Sequence, residues 1–471
     1  MRSGCDRTAG SRTPQRTTRS AWRRFKVPDR DYPEEDRGGS ELSLDVHLYG
    51  ERVGTLFPAG DNDYRLAYDP EVVERLGPGR TLLSSSLPAR PEPYSAEATR
   101  AFVEGLLPQG PRRARIGREL DLDPVDGYLL LAALGEDCSG AVSFLPPESA
   151  PSAPEPDSIA WLEPDELAAA VRHPAPGLAG EPGERPRFVL PGRRPKLALV
   201  RDQASGRWAW PGAGLPSTHV VKPETGEYSG YVANEMFCMT VCRQVGLPVA
   251  KAAVEEVGGR PCLVSPRYDR VAGESALDTK RLHCESFTQA LGILPGAIGP
   301  GPHGKEIESP GWAEARGLLN AVSRPDEIVN LLTAAFCNYI LGNGDAHGDN
   351  FALLDRDATA LRGPEPKWRL APLTDLTSTV VYDDPLHRGL VISDEYQETS
   401  YLLELAEICE ECEFDFEVMR GLASTTATRV GMAVETVATR AAKEGWHDPV
   451  VDKIVELAAD RSFGLGAEVE Y

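Results

Sequence analysis

The chain has 471 residues, a formal net charge of −22 and 41% hydrophobic residues. At roughly 150 residues per domain, that length suits about three structural units or the two lobes of one enzyme. A body this acidic repels nucleic acid and anionic membranes except through local basic patches, and no run of about 18 apolar residues predicts a membrane span.

In chain order, residues 1–40 carry Arg2, Arg7, Arg12, Arg16, Arg19, Arg23, Arg24 and Lys26 among Ser, Thr and Gly. They lack the apolar stretch of a secretory signal and are expected to be a disordered basic tail. Residues 41–68 alternate in polarity, predicting a hairpin turning at Gly50-Glu51 and a further strand in "DYRLAYD". Residues 81–92 are expected to form another strand that runs into a Pro-rich loop. "AEATRAFVEGLLP" predicts a short helix stopped by Pro108, and "VDGYLLLAALGEDCSGAVSFL" a helix, a Gly-rich turn and a strand. These elements make 41–146 one subdomain. Residues 147–186 are Pro-dense and read as a linker with a small helix in "EPDELAAAVRH".

Residues 187–283 are expected to complete a β-rich lobe. "RFVLPGRRPKLALVRD" predicts strand, Gly/Pro turn, strand, and Lys222 ends the strand in "THVVKP". Glu235 lies in the first half of a helix, "GYVANEMFCMTVCRQVGL", closed by Gly246, and "AAVEEVGGRPCLVSPRYDR" predicts paired strands. From 284 to 460 helices dominate, with 461–471 as a tail. The strongest helix is "PDEIVNLLTAAFCNYILGN", with Pro and two acids at its start and Gly342 at its end.

The nine cysteines show no framework spacing and predict reduced thiols in a cytoplasm. Cys238 and Cys242 share a helix face as core thiols, and Cys409 and Cys412 lack a second ligand pair for zinc. The acidic run "LAEICEECEFDFE" reads as a solvated helix face.

After Gly342, "GNGDAHGDNFALL" sets Asp345 and Asn350 five positions apart on a short loop. Asp and Asn also favour turns with no function, so the loop alone decides nothing. The order along the chain carries more: a Gly-containing turn, Lys222, Glu235, Asp345 with Asn350, then Asp375. Phosphoryl transfer from ATP needs that set. A strand-borne ammonium grips phosphates, and a helix carboxylate fixes the ammonium. A loop carboxylate orients the attacking hydroxyl and accepts its proton. An Asn oxygen and a second Asp suit Mg²⁺, a hard cation that takes few protein ligands. Protein kinases space their loop Asp and Asn in the same way.

The loop resembles the G-x-x-D-x-H-x-x-N-F motif of HipA-like serine/threonine kinases, toxins of type II toxin–antitoxin modules. "THVVKPE", "VANEMFCMTVCRQVGLPV", "SPRYDR" and "RLAPLTDL" are similar to further segments of that family in the same order, and the likeness spans roughly residues 42–440. It implies a two-lobed α+β kinase-like fold: a β-rich N-terminal lobe with an added N-terminal subdomain, and a helical C-terminal lobe. It implies catalytic roles for Asp345 and Lys222, and Mg²⁺ held by Asn350 and Asp375. ATP contacts would come from Gly192, Lys196, Lys222, Glu235, His347 and a hinge at Pro266 to Tyr268. His347 would chiefly brace its loop.

The implied partners are a protein substrate, with aminoacyl-tRNA synthetases among the family's targets, and a small helix-turn-helix antitoxin through which DNA is reached. Three departures stand out. The family's phosphate-side loop reads S-x-x-G-x-Q-x-K, and its Ser can be autophosphorylated to switch the kinase off. Here Val189 takes the place of that Ser and Arg194 that of the Gln, and the hinge Glu is Pro266. A kinase of lipids or small molecules, and a catalytically decayed antitoxin binder, are the alternative readings.

Overall fold

The computed structural model describes residues 43–60, 63–147, 149, 159–174, 188–212, 214–295, 310–362, 368–382 and 401–470. The basic tail at 1–40 and most of the Pro-dense segment lie outside the described residues.

Alternating polarity folds the first segment into β1 (Leu44–Leu48), β2 (Glu51–Gly60) and β3 (Asp63–Tyr68). The β1–β2 turn falls on Tyr49 and Gly50, both with positive φ (52° and 83°), the geometry that matches strand twist in two-residue hairpins. It sits one residue earlier than the sequence suggests. α1 (Pro70–Leu76), α2 (Ala96–Glu104), α3 (Gly110–Leu120) and α4 (Gly127–Leu134) follow. Then β4 (Val142–Leu145) pairs with β1, giving a sheet ordered β3-β2-β1-β4.

The strand expected within 81–92 does not form. The stretch runs as turns, because Ser84, Ser85 and Ser86 hydrogen-bond to Glu285 and Gln289 instead of presenting a ladder.

α5 (Pro164–Arg172) is the helix expected in the linker, but it is packed rather than spanning solvent. Its Val171 joins the buried cluster of Leu197, Leu199, Val221 and Cys262. That cluster lies under an antiparallel sheet of β5 (Leu197–Arg201), β6 (Trp208–Ala209) and β7 (His219–Pro223), with α6 (Tyr231–Val245), β8 (Ala253–Val257) and β9 (Arg260–Pro266) next in the chain. The strand order is β6-β5-β7-β9-β8. Before β5, the strand expected at 187–190 is reduced to a single bridge at Phe188. β10 (Arg270–Val271) and β11 (Lys280–Arg281) form a short hairpin beyond the sheet.

The C-terminal lobe opens with β12 (His283–Ser286) and α7 (Phe287–Leu291), then α8 (Trp312–Val322) and α9 (Pro325–Leu341). β13 (Ala352–Asp355) and β14 (Trp368–Leu370) complete a three-stranded sheet with β12. α10 (Tyr401–Glu411), α11 (Phe416–Glu444) and α12 (Pro449–Glu470) end the chain. The tail expected at 461–471 is instead helical through Glu470: Arg461 donates to the Tyr339 carbonyl at 2.5 Å and Leu465 is buried.

One core joins α6, α8, α9, α11 and α12 through Phe237, Leu319, Phe336, Val430 and Ile454. Burying each of these side chains stabilises the fold by about 1.5–3 kcal/mol. All eight cysteines of the described residues are free and buried, Cys409 and Cys412 included. No described helix is long and apolar enough to cross a membrane.

Candidate active site

Lys222 is the penultimate residue of β7 and α6 starts nine residues after it, so the strand and the helix bring Lys222 and Glu235 face to face. Lys222 Nζ lies 2.6 Å from Glu235 Oε1 and 2.5 Å from Asp375 Oδ1. Glu235 is 1% exposed. Burial works against the Lys222 charge, but Asp375 and Glu235 outweigh it and raise the pKa. Burial likewise opposes the Asp375 carboxylate, which Lys222 and then Lys196 hold well below the usual range.

Asp375 has φ +54°, a left-handed backbone that non-glycine residues rarely adopt. The segment after it is fastened twice. Asn234 exchanges hydrogen bonds with the backbone of Ser378, and Thr379 meets the loop of Asp345. Thr379 N–H donates to the Gly342 carbonyl at 2.8 Å, and Thr379 Oγ1 accepts from Gly344 N–H at 2.9 Å. α9 ends at Gly342, with φ 74°, and this glycine lets the chain turn into the loop.

Within the loop, Asn350 Nδ2 donates to the Asp345 carbonyl at 2.6 Å, and Asp345 N–H donates to Asn343 Oδ1 at 3.2 Å. His347 caps the short helical turn at 348–350 by accepting from Asp349 N–H, and its Nε2 is 3.7 Å from Asp345 Oδ1. That geometry fits bracing.

Lys196, Lys222, Glu235, Pro266, Tyr268 and Asp375 line one cleft. Burial lowers the Lys196 pKa to about 8, against the opposing pull of Asp375. Gly192, with φ +94°, lies where an added Cβ would come 2.9 Å from Lys196 Nζ. Asp345, His347 and Asn350 are not part of this lining. They stand on the adjoining loop, tied to the Asp375 segment through Thr379.

Next to the expected hinge is a buried ion-pair cluster that sequence reasoning did not single out, of which Arg267 and Asp269 line the cleft. Arg267 donates to Asp269 at 2.9 and 2.6 Å, and Arg270 pairs with Asp137 at 2.9 Å, all four being buried. Asp137 belongs to the N-terminal subdomain, which also contributes Ser139 to the cleft wall. The charges in "SPRYDR" were the visible signal, but their partner lies more than a hundred residues away.

The donor set bears on the metal. Among the described residues no group of three or more His, Cys, Asp or Glu is arranged to hold one. Asn350 uses its NH₂ on the Asp345 carbonyl, and its amide oxygen is the atom that could meet a cation. Asp375 Oδ2 has a long 3.4 Å contact from Thr374. Two hard oxygens fit Mg²⁺ completed by water and phosphate oxygens, and not a caged ion.

Comparison with known proteins identifies the family. Residues 188–444 match the HipA-like C-terminal domain and residues 44–145 the HipA N-terminal domain. The chain belongs to the HipA-like family. Y4mE of Sinorhizobium fredii, a kinase by name, is 37% identical over 311 residues, covering 64% of this chain and 69% of Y4mE. The serine/threonine-protein kinase toxin HipA of Shewanella oneidensis is 26% identical, covering 84% of this chain and 89% of its own. A solved structure of HipA from that organism, with HipB and operator DNA, superposes with TM-score 0.71 at 23% identity, over 91% of this chain and 96% of that one. The fold is therefore the two-lobed α+β arrangement of HipA.

Proposed function

We propose that this HipA-like protein is an ATP-dependent serine/threonine protein kinase that arrests growth by phosphorylating a translation-related protein. The observation that carries the reading is the Lys222 ammonium held between Glu235 and Asp375 in the cleft, beside a loop bearing Asp345 and Asn350. Lys222 and Lys196 present positive charge to the phosphates of ATP, and the backbone from Pro266 to Tyr268 receives the adenine. Asp345 orients the acceptor hydroxyl and takes its proton. Asn350 and Asp375 would hold Mg²⁺, which supplies charge neutralisation at the phosphates when bound. His347 keeps the loop in register.

The likeness to a HipA seen with HipB and operator DNA supports a small antitoxin partner here. With a net charge of −22, DNA contact is best made through that partner. The buried free thiols suit a reducing cytoplasm. An aminoacyl-tRNA synthetase is the proposed class of target, by family resemblance.

The test is incorporation of label from γ-³²P-ATP into proteins of a cell extract, together with growth on induction. The wild-type protein is expected to label and arrest, and Asp345→Asn to do neither. Unchanged labelling by Asp345→Asn overturns the assignment. Nucleotide binding without any labelling by the wild type would leave the decayed, antitoxin-binding reading instead.

A further inference from the structure

We infer that Arg194 is a catalytic residue of this kinase, its guanidinium held on a tray of tyrosines where it contacts the γ-phosphoryl group between nucleotide and acceptor. The inference rests on the kinase reading above and adds to it a residue that the HipA-like pattern does not supply, since the family carries Gln at this place.

The loop places two arginines side by side between Pro191 and Pro195, and they part company. Arg193 is exposed and lies across Gly110 at the start of α3, where a methyl group would sit 3.4 Å from its Nε. Arg194 is half-buried and turns to the other side. Its guanidinium carbon is 3.9 Å from the centre of the Tyr231 ring and 4.7 Å from that of Tyr228. Tyr382 completes the tray, 4.9 Å from Tyr228 and stacked at 6.4 Å on Tyr231. Its hydroxyl donates to the Ser229 carbonyl at 3.2 Å.

The tray has a definite address. Tyr231 is four residues before Glu235 on α6, so both share the face that meets Lys222. Tyr382 is the seventh residue after Asp375. Burial works against the Arg194 charge, yet the ring faces of Tyr231 and Tyr228 and the Asp345 carboxylate favour it. Through Tyr231 the guanidinium is therefore seated on the helix that also carries Glu235, the partner of Lys222.

Charge supply gives the position its meaning. Lys222 already faces two carboxylates, and Lys196 is buried with a pKa of about 8. A guanidinium keeps its charge at any working pH, stacks by its face and donates from its edge, and the tray lowers the entropy lost on ordering it. In the transfer, the bond from the γ-phosphorus to the β–γ bridging oxygen breaks as a bond to the acceptor oxygen forms. The electron pair leaves on the β-phosphate and the hydroxyl proton passes to Asp345. Arg194 donates hydrogen bonds to the equatorial oxygens throughout.

Calorimetry with Mg²⁺ and either ADP or the imido analogue of ATP tests this on the full chain. Arg194→Ala is expected to weaken the triphosphate analogue about tenfold while ADP changes less than about twofold, a loss the size of one charge-assisted hydrogen bond. Arg194→Lys should recover part of the difference and Arg193→Ala should change neither ligand. Equal weakening of both nucleotides by Arg194→Ala would mean the residue only shapes its loop, and no weakening of either would mean it does not reach the phosphates. Both overturn the inference with the kinase reading intact. A wild-type chain that binds neither nucleotide removes the kinase reading itself.

Discussion

Asn234 exchanges two hydrogen bonds with the backbone of Ser378, its Nδ2 donating to the carbonyl at 2.9 Å and its Oδ1 accepting from the N–H at 2.8 Å. Asn234 is fully buried and directly precedes Glu235, and Ser378 closely follows Asp375. α6 therefore positions the Asp375 segment by charge at Lys222 and by this neutral pair. Asn234→Ala leaves two buried backbone groups unpaired and is expected to lower stability by about 2–4 kcal/mol. Turnover should fall as Asp375 loosens. Urea unfolding measures the first effect and initial rates of labelling the second; an unshifted unfolding midpoint would show that the pair carries no weight.

Gly192 makes a narrower claim. Its φ of +94° disfavours any side chain, and an added Cβ meets Lys196 Nζ at 2.9 Å. The lysine end is flexible, so Gly192→Ala should cost only about 1–2 kcal/mol of backbone strain. The functional effect should be larger, because the ammonium is pushed off its position. ADP affinity is expected to drop about tenfold, the scale of one charged hydrogen bond. Calorimetric titration, with Lys196→Met as the comparator, decides whether this lysine reaches the nucleotide.

The contrast between these residues explains what was legible in the sequence. Lys222, Glu235 and the Asp345 loop could be read because each sits at a local punctuation mark: a strand end, a helix following a glycine, a helix stopped by Gly342. Their residue types in that order then point to phosphoryl transfer. α3 was missed because Ile116 is its only buried large apolar residue, too little to set a period. The strand predicted at 81–92 failed because Ser84 answers to Glu285, 201 positions away, and Arg270 likewise meets Asp137 across 133. Contacts of that span leave no local pattern. The contact of Arg194 with Tyr228 and Tyr231 belongs to the same class.

The pair of Lys222 and Glu235 predicts a separation of stability from activity. Burial already holds the Glu235 carboxyl above its ordinary value, so without Lys222 it remains as a buried acid that has lost its ion-pair partner and keeps only the weaker pull of Lys196. Lys222→Met is expected to destabilise the fold by about 3–5 kcal/mol. Adding Glu235→Gln should restore much of that stability, because the neutral amide has no charge to bury, while labelling from ATP stays absent. Thermal unfolding of the two variants supplies the comparison. If the double variant is no more stable than the single one, the ion pair is not what Lys222→Met breaks.

Glu285 predicts a pH effect. It is 1% exposed on β12 and accepts from Ser84 Oγ at 2.6 Å and from Ser85 Oγ at 2.7 Å, joining the N-terminal subdomain to the C-terminal lobe. Burial lifts its pKa to about 7, although the serine hydrogen bonds oppose the rise. Because the folded value exceeds the unfolded one, the folded chain takes up a proton. The associated stability is complete below about pH 4.5 and is lost as pH rises through about 7, roughly 3 kcal/mol in all. Glu285→Gln keeps the shape and removes the titration. Ser84 can turn its hydroxyl to the Gln289 carbonyl, 3.1 Å away, and accept from the new amide. The variant is therefore expected to unfold at higher urea than the wild type at pH 8 and at a similar concentration at pH 5. A difference between the two proteins that does not change with pH would show that Glu285 stays charged in the fold.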